Sequence, residues 1–473
     1  MLKLRNTLTK KVEPFIALDE VKKRPESNRF VSIYTCGPTV YDYATIGNFS
    51  AYLMADLVKR YLTYLGYPVK HVINITDVGH LTADADMAGE DKLEKVAREH
   101  GTDPFEVAQK FTDAFLSDAK LLAIEADVWP KATDHIKEMI TIITTLIDKN
   151  FAYVTTSGVY FDVTKYSKYG QLSGNNIEQL RAGERVEVHP DKHHPADFAL
   201  WKLNQPEHLM QWDSPWGKGY PGWHIECSAM SMKYLGEQID IHTGGEDNIF
   251  PHHECEIAQS ECATGRHPFV QFWLHRQFLT VDGNKMSKSL GNIYKLQDIV
   301  DRGFEPEDFR MFILSAHYRS GVNFSWEGMN GARERRLRWK AVSQRTVNRE
   351  PHYAEASRGE QLTENTEEVQ KLQEKLDDDL NTPEAFAYID EVVKRANKGT
   401  IIAPEFWATV DKLFALGLSK VDELDPVIEQ KRKDLDAARA LHDFTQADKL
   451  RAEIVSAGYE VITTPDGTKI RKH

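Results

Sequence analysis

The stretch Phe30-Val31-Ser32-Ile33-Tyr34, then Cys36-Gly37-Pro38-Thr39-Val40-Tyr41-Asp42-Tyr43-Ala44-Thr45-Ile46-Gly47-Asn48, then Tyr52-Leu53-Met54-Ala55-Asp56-Leu57-Val58-Lys59-Arg60-Tyr61-Leu62 decides the fold. A β-branched and aromatic block leads through a loop carrying Gly37 and Gly47 into an apolar-rich helical pattern. The order is strand, glycine-bearing loop, helix. In a parallel α/β sheet, that order puts the loop at the carboxyl edge and aims a helix N-terminus at bound phosphate.

Outward from this unit, a strand is expected over 69–74 and a long helix over 91–122, with a weakly patterned Ala/Asp-rich loop over 82–89 between them. Strand-like sequence returns at 239–242 and 269–273. The fold class is therefore a Rossmann-like, doubly wound parallel sheet in two halves, 1–129 and 213–300. Residues 130–212 differ in character, with a helix over 135–150, short strands such as 159–163, and a polar stretch over 182–195. They read as an inserted connective domain. Beyond 301 the pattern is helical, with amphipathic segments at 306–315, 328–346, 367–376 and 383–396. A bundle over 331–428 follows. The last module, 429–473, reads as one charged helix over 434–457 and a β-hairpin, 459–463 and 468–470, around Thr464-Pro465-Asp466-Gly467.

Composition sets outer limits. The chain has 473 residues, 41% of them hydrophobic, which is ordinary for a globular protein of several domains. The Met1 end has no apolar stretch after it, and the greasy run at 139–147 is broken by threonines and too short for a bilayer, so a cytoplasmic protein is expected. Four cysteines, Cys36, Cys227, Cys255 and Cys262, are too few for a disulfide framework. A net charge of −13 argues against a generic nucleic-acid coat, yet leaves room for a local basic face. Arg333 to Lys340 and Lys469 to His473 are such concentrations.

A second polar loop, Lys285-Met286-Ser287-Lys288-Ser289-Leu290-Gly291-Asn292, has a phosphate-handling composition, although alone it also reads as a solvated turn. With the loop at 36–48 it resembles the two nucleotide signatures of class I aminoacyl-tRNA synthetases. The surrounding motifs are similar to the cysteinyl-tRNA synthetase family over nearly the whole chain. They are Asn74-Ile75-Thr76-Asp77, Asp197 to Lys202, Gly222-Trp223-His224-Ile225-Glu226-Cys227, Gly244-Gly245-Glu246-Asp247, Phe250-Pro251-His252-His253-Glu254, and Asp379-Leu380-Asn381-Thr382-Pro383-Glu384-Ala385.

The resemblance implies activation of L-cysteine with Mg2+-ATP to cysteinyl-adenylate, then transfer to the 3′ end of tRNA(Cys). It implies one zinc ion per chain, held by Cys36, Cys227, His252 and Glu256, that selects the substrate thiol. An ion with a preference for thiolate solves a problem that packing cannot, since serine differs from cysteine by one atom. Residue spacing adds that His252 and Glu256, at i and i+4, share a face if the segment after Pro251 is helical. Cys255, at i+3 from His252, competes as a ligand on spacing alone. Trp223 and Thr76 match positions lining the amino-acid pocket. Lys288, and secondarily Lys285, are expected at the phosphates, Gly47 and Asn48 at the nucleotide, and Asp247 at the ribose. In place of the family's usual leading histidine stands Thr45, which offers a hydroxyl with no cationic form. We expect Thr45, Asn48 and Lys288 to share the phosphate load.

Residues 301–330 are then a stem-contact region and 429–473 an anticodon-reading module, with a monomer expected. Rival readings are a ligase passing activated cysteine to an amino sugar, a zinc hydrolase using His252, His253 and Glu254, and a non-catalytic tRNA-binding relic. The first lacks reason for the helical region after Phe324, the second lacks HExxH spacing, and the third leaves the lysine loop unexplained. His189, His193 and His194 read as a flexible loop rather than a metal site.

Overall fold

A computed structural model describes residues 1–18, 29–78, 92–176, 190–205, 208–347, 367–420, 425–464 and 467–472. The loop expected at 82–89 and most of the polar stretch at 182–195 lie outside them. The central sheet has four parallel strands: β1 (Val31–Thr35), β2 (Val69–Ile73), β3 (Ile239–Gly245) and β4 (Val270–Arg276). Their spatial order is β4-β3-β1-β2. β1 is buried at every residue, as a central strand covered on both faces must be. From β1 the chain passes to β2 on one side and later returns to β3 on the other. The crevice beyond the carboxyl ends of β1 and β3 is therefore the topological switch point. There Cys36 N donates to Thr243 O at 3.2 Å, closing the two strand ends together.

Helix α1 (Ile46–Tyr64) starts where β1's loop ends. Thr45 is its N-cap: the Thr45 hydroxyl accepts from Asn48 N at 3.3 Å and Asn48 Oδ1 accepts from Thr45 N at 2.9 Å, forming a reciprocal capping box. Asp56, in the middle of α1, is buried beside Arg60 Nε at 2.6 Å and against the fully buried Arg310. Arg310 also donates to Leu122 O at 2.8 Å and to Phe414 O. One guanidinium thus joins α1, the helix Pro306–Leu314 and the helix Pro404–Phe414.

The insertion carries the helix Ile136–Asp148 and an antiparallel sheet of Ala152–Val154, Gly158–Phe161, Phe198–Leu203 and Gly219–Pro221. Two long helices expected from the pattern are each divided. The run over 91–122 is broken into Lys92–His100 and Pro104–Leu121, because Gly101 adopts φ +65°, Asp103 caps Phe105 N at 2.7 Å and Pro104 opens the second helix. The run over 434–457 becomes parts of Pro426–Ala440 and Phe444–Ser456, separated by His442 at φ +59° and the N-cap Asp443.

The chain divides into two compact units, one of 1–300 with 304–418, the other of 301–303 with 419–473. In the larger, Trp326–Val347, Glu367–Asp377, Thr382–Asn397 and Pro404–Phe414 form the helical part around buried Trp339, Phe386 and Trp407. The sequence reading had not singled out Pro404–Phe414. In the smaller unit, two helices and the hairpin Tyr459–Thr464 with Gly467–Lys472 enclose Leu435, Leu450 and Ile454.

Candidate metal and nucleotide site

At the switch point, four side chains from three segments converge. Cys36 follows β1, Cys227 lies on α2 (Trp223–Leu235), and His252 and Glu256 lie on the wide helical turn Ile249–His253 and on α3 (Glu254–Thr264) that continues it. Cys36 Sγ stands 3.9 Å from Cys227 Sγ and 3.6 Å from Glu256 Oε1. His252 Nε2 is 3.5 Å from Cys227 Sγ and 3.1 Å from Glu256 Oε1. The last three are buried, and Cys36 is partly buried. Helical winding through His252–Glu256 puts both donors on one face, as their spacing required.

Without a cation this would be a poor place for charge. Burial, then the hydrogen bond with Cys227, pushes the Cys36 thiol well above its usual range, and burial likewise raises Cys227. A metal ion reverses this by drawing protons off both sulfurs.

Further residues beyond the four donors surround the cluster. His224 Nδ1 lies 2.9 Å from His252 Nδ1, and Trp223 stacks on the His252 ring at 4.1 Å and 24°. His242 Nε2 meets the other oxygen of Glu256 at 3.0 Å. His253 Nε2 sits 3.2 Å from Cys36 Sγ, and its Nδ1 continues at 2.8 Å to His275, which meets Thr7 Oγ1 at 2.8 Å. Cys36, His242, His253 and Glu256 thus form a second overlapping donor set. Burial holds His253 well below the usual imidazole range.

Asn74, at the end of β2, ties both sulfur-bearing segments. Its Oδ1 accepts from Gly37 N at 2.8 Å and lies 3.8 Å from Cys227 Sγ. Its Nδ2 donates to Thr76 Oγ1 at 3.1 Å, and that hydroxyl donates to Glu226 Oε2 at 2.9 Å. Gly37 is required here, since a β-carbon would fall 1.5 Å from the Asn74 carbonyl oxygen. The signal in the sequence was the polar Asn-Ile-Thr-Asp at a strand end.

Cys255 is buried elsewhere, its Sγ 3.3 Å from the Tyr169 hydroxyl. Glu254 accepts from Ser173 N and Oγ, both at 2.9 Å, anchoring the insertion instead of facing the cluster. A hydrolase base at Glu254 is therefore excluded by its direction. His193 stacks on Tyr153 at 3.7 Å, and His194 Nδ1 accepts from Ala196 N at 3.1 Å, so these two are structural. His189 lies outside the described residues.

The two polar loops meet beside the cluster. Ile46 N donates to Tyr294 O at 2.9 Å, Thr45 and Lys295 form an antiparallel bridge, and Lys295 Nζ rests 4.1 Å above the Tyr43 ring. Lys285, in the short strand Asn284–Lys285, places its Nζ 5.6 Å from the Phe278 ring centre. Lys288 opens the single turn Lys288–Leu290; its side chain lies outside the described part. Asp247 is exposed just past β3, where a β-carbon on Gly245 would lie 2.3 Å from its Oδ1. The Thr45 hydroxyl donates to Asn48 Oδ1 at 2.8 Å, within the cap of α1.

Comparison with known proteins follows the same lines. The family described as tRNA synthetases class I (C) catalytic domain matches residues 22–334, and the DALR domain matches 371–416. The cysteine–tRNA ligase of Chlorobaculum tepidum is 41% identical, covering 98% of this chain and 98% of its own. That of Caldicellulosiruptor saccharolyticus is 40% identical over 100% of both. Among solved structures, Mycobacterium tuberculosis methionyl-tRNA synthetase in complex with methionyl-adenylate superposes with a TM-score of 0.60 at 15% identity, over 81% of this chain and 89% of that one. At that identity the likeness speaks to the fold.

Proposed function

The chain belongs to the cysteine–tRNA ligase family, and from that premise we propose how its residues divide the work of joining L-cysteine to tRNA with ATP. Cys36, Cys227, His252 and Glu256 hold one zinc ion. The observation that carries this is spacing. Tetrahedral zinc, with bonds of about 2.3 Å to sulfur and about 2.0–2.1 Å to nitrogen or oxygen, needs S–S near 3.8 Å, S–N or S–O near 3.5 Å and N–O near 3.3 Å. The measured separations are 3.9, 3.5, 3.6 and 3.1 Å. The second donor set fits less well, with His253 Nε2 at 3.2 Å from Cys36 Sγ but 3.9 Å from Glu256 Oε1. Bound there, zinc supplies a soft Lewis acid that favours the substrate thiolate over a serine hydroxyl.

The substrate sulfur enters on the side of Cys36, the least buried of the four. Trp223 packs against the substrate and orients His252, and Thr76 stands near the substrate backbone. The cysteine carboxylate attacks the α-phosphate directly, breaking its bond to the β-phosphate so that pyrophosphate leaves and cysteinyl-adenylate forms, and positioning and charge stabilisation replace any side-chain nucleophile. Lys288 and Lys285 meet the phosphates of Mg2+-ATP, Gly47 and Asn48 present the nucleotide surface, and Asp247 accepts from the ribose hydroxyls. Thr45 serves the phosphates by fixing the N-terminus of α1 through its cap. The module at 429–473 reads the anticodon, residues 301–330 contact the stem, and the enzyme acts as a cytoplasmic monomer.

The test is zinc stoichiometry measured beside cysteine- and serine-dependent ATP–pyrophosphate exchange. Zinc-bound enzyme should activate cysteine and reject serine. A zinc-free Cys227→Ser enzyme that activates cysteine at the full rate would end the proposal.

A further inference from the structure

Gly47 turns bare backbone toward the lysine loop. A β-carbon built on it would lie 2.4 Å from Cε of Met286. Met286 is partly buried and packs against the main apolar core. Downstream, the loop is held more firmly by the Ile46–Tyr294 hydrogen bond at 2.9 Å and by the Thr45–Lys295 bridge. Between these two attachments the loop is closed on itself: Asn292 Oδ1 accepts from Ser287 N at 2.9 Å and Asn292 Nδ2 donates to Lys285 O at 3.2 Å. It is a small stapled body with backbone attachments at both ends, the upstream one being the pairing of Asn284–Lys285 with Thr280 and Val281, and the Met286 thioether is its contact with the Gly47 surface. A thioether on glycine is held by dispersion and apolar burial, both of which reverse without breaking a directed bond.

We propose that Met286 is a positioning residue that covers the Gly47 surface until nucleotide arrives, so that loop release and nucleotide entry are one exchange at one patch of backbone. This rests on the assignment of Gly47 to the nucleotide site. The thioether docks the loop in the free enzyme, and the nucleotide displaces it. The released loop, still attached at Lys285 and at Tyr294 and Lys295, then brings Lys288 to the phosphates beside Lys285. Nucleotide affinity is thereby reduced by the occupancy of a competing side chain, as for any ligand that must displace an internal contact.

The experiment measures binding of α,β-methylene ATP with Mg2+ to the full-length enzyme by titration calorimetry. Met286→Ala removes the competitor and should tighten binding about fivefold, the equivalent of one or two apolar groups no longer displaced. Met286→Leu, of similar volume, should restore the wild-type affinity, and hydrogen exchange over 285–292 in the free enzyme should rise in the alanine variant alone. A purely structural role would weaken binding or leave it unchanged, and either result with Met286→Ala overturns the exchange. Gly47→Ala placed in the Met286→Ala background separates the two readings. A tenfold or greater loss there supports Gly47 as a nucleotide surface whatever Met286 does; no loss means that Gly47 does not face nucleotide, and the exchange falls with it.

Discussion

Asn74→Ala strikes the cluster without removing any metal ligand. Asn74 is buried, and its amide makes three contacts: acceptance from Gly37 N at 2.8 Å, approach to Cys227 Sγ at 3.8 Å, and donation to Thr76 Oγ1 at 3.1 Å. Alanine leaves the Gly37 N–H without its acceptor, which costs about 1–3 kcal/mol where water cannot fully replace it. The same loss frees the Cys36–Gly37 backbone to shift and lets Thr76 turn away from Glu226. Removing a group that orients ligands typically weakens metal binding about 10–100-fold. Zinc affinity should fall by that factor, measured by competition with a chromophoric chelator on the full-length enzyme, with thermal unfolding followed in parallel. Asn74→Asp keeps an acceptor for Gly37 N–H but loses the donor to Thr76, and its zinc affinity should lie between the two. If Asn74→Ala retains wild-type zinc affinity, the idea that this amide sets the sulfur positions is wrong.

Other consequences are independent of that amide. Cys227→Ser should lose zinc and cysteine activation together, whereas Cys255→Ser, altering a thiol 3.3 Å from Tyr169 and outside the cluster, should keep both; metal analysis of the two purified variants decides. Thr45→Ala removes the cap of α1 and should cost about 1 kcal/mol in urea unfolding, while Thr45→Ser retains the midpoint; an unchanged midpoint in the alanine variant would refute the capping role. His71 is buried against Thr35 Oγ1 at 2.8 Å, and burial lowers its pKa to about 4. The unfolded chain, titrating near 6.5, takes up the proton first, so this contribution is complete above about pH 6.5 and is lost as pH falls toward 4, by up to about 1.4 kcal/mol per unit. His71→Gln should flatten the melting temperature over that interval, and equal slopes in both proteins would count against it.

Much of this architecture can be read along the chain because its causes are local. The block at 30–34, the glycines at 37 and 47 and the apolar run after them suffice to specify strand, loop and helix, and the i, i+4 pair His252 and Glu256 needs only helical winding. The shell around the cluster is different in kind. His242, His253 and His275 come together only through the register of β3 and β4 and the entry into α3, and nothing at any one of those positions encodes the others. The divided helices fail for a subtler reason: Asp103-Pro104 is a start signal that was legible, but His442 reaches positive φ without glycine, where tertiary packing overrides local preference. Thr45 shows how a hydroxyl that caps a helix and one that faces a ligand look alike in sequence.

The Asp56–Arg310 pair has an implication for descent. Loss of Asp56 leaves the buried Arg310 uncompensated at a cost of about 3–5 kcal/mol, and loss of Arg310 leaves Asp56 with Arg60 alone, whereas joint replacement by apolar side chains of matching volume is tolerated far better. Because Arg310 also holds the carbonyls of Leu122 and Phe414, a lineage that discards it must rebuild three helix junctions at once. The two positions should therefore be inherited as a unit, varying together among relatives or not at all, although they stand far apart along the chain.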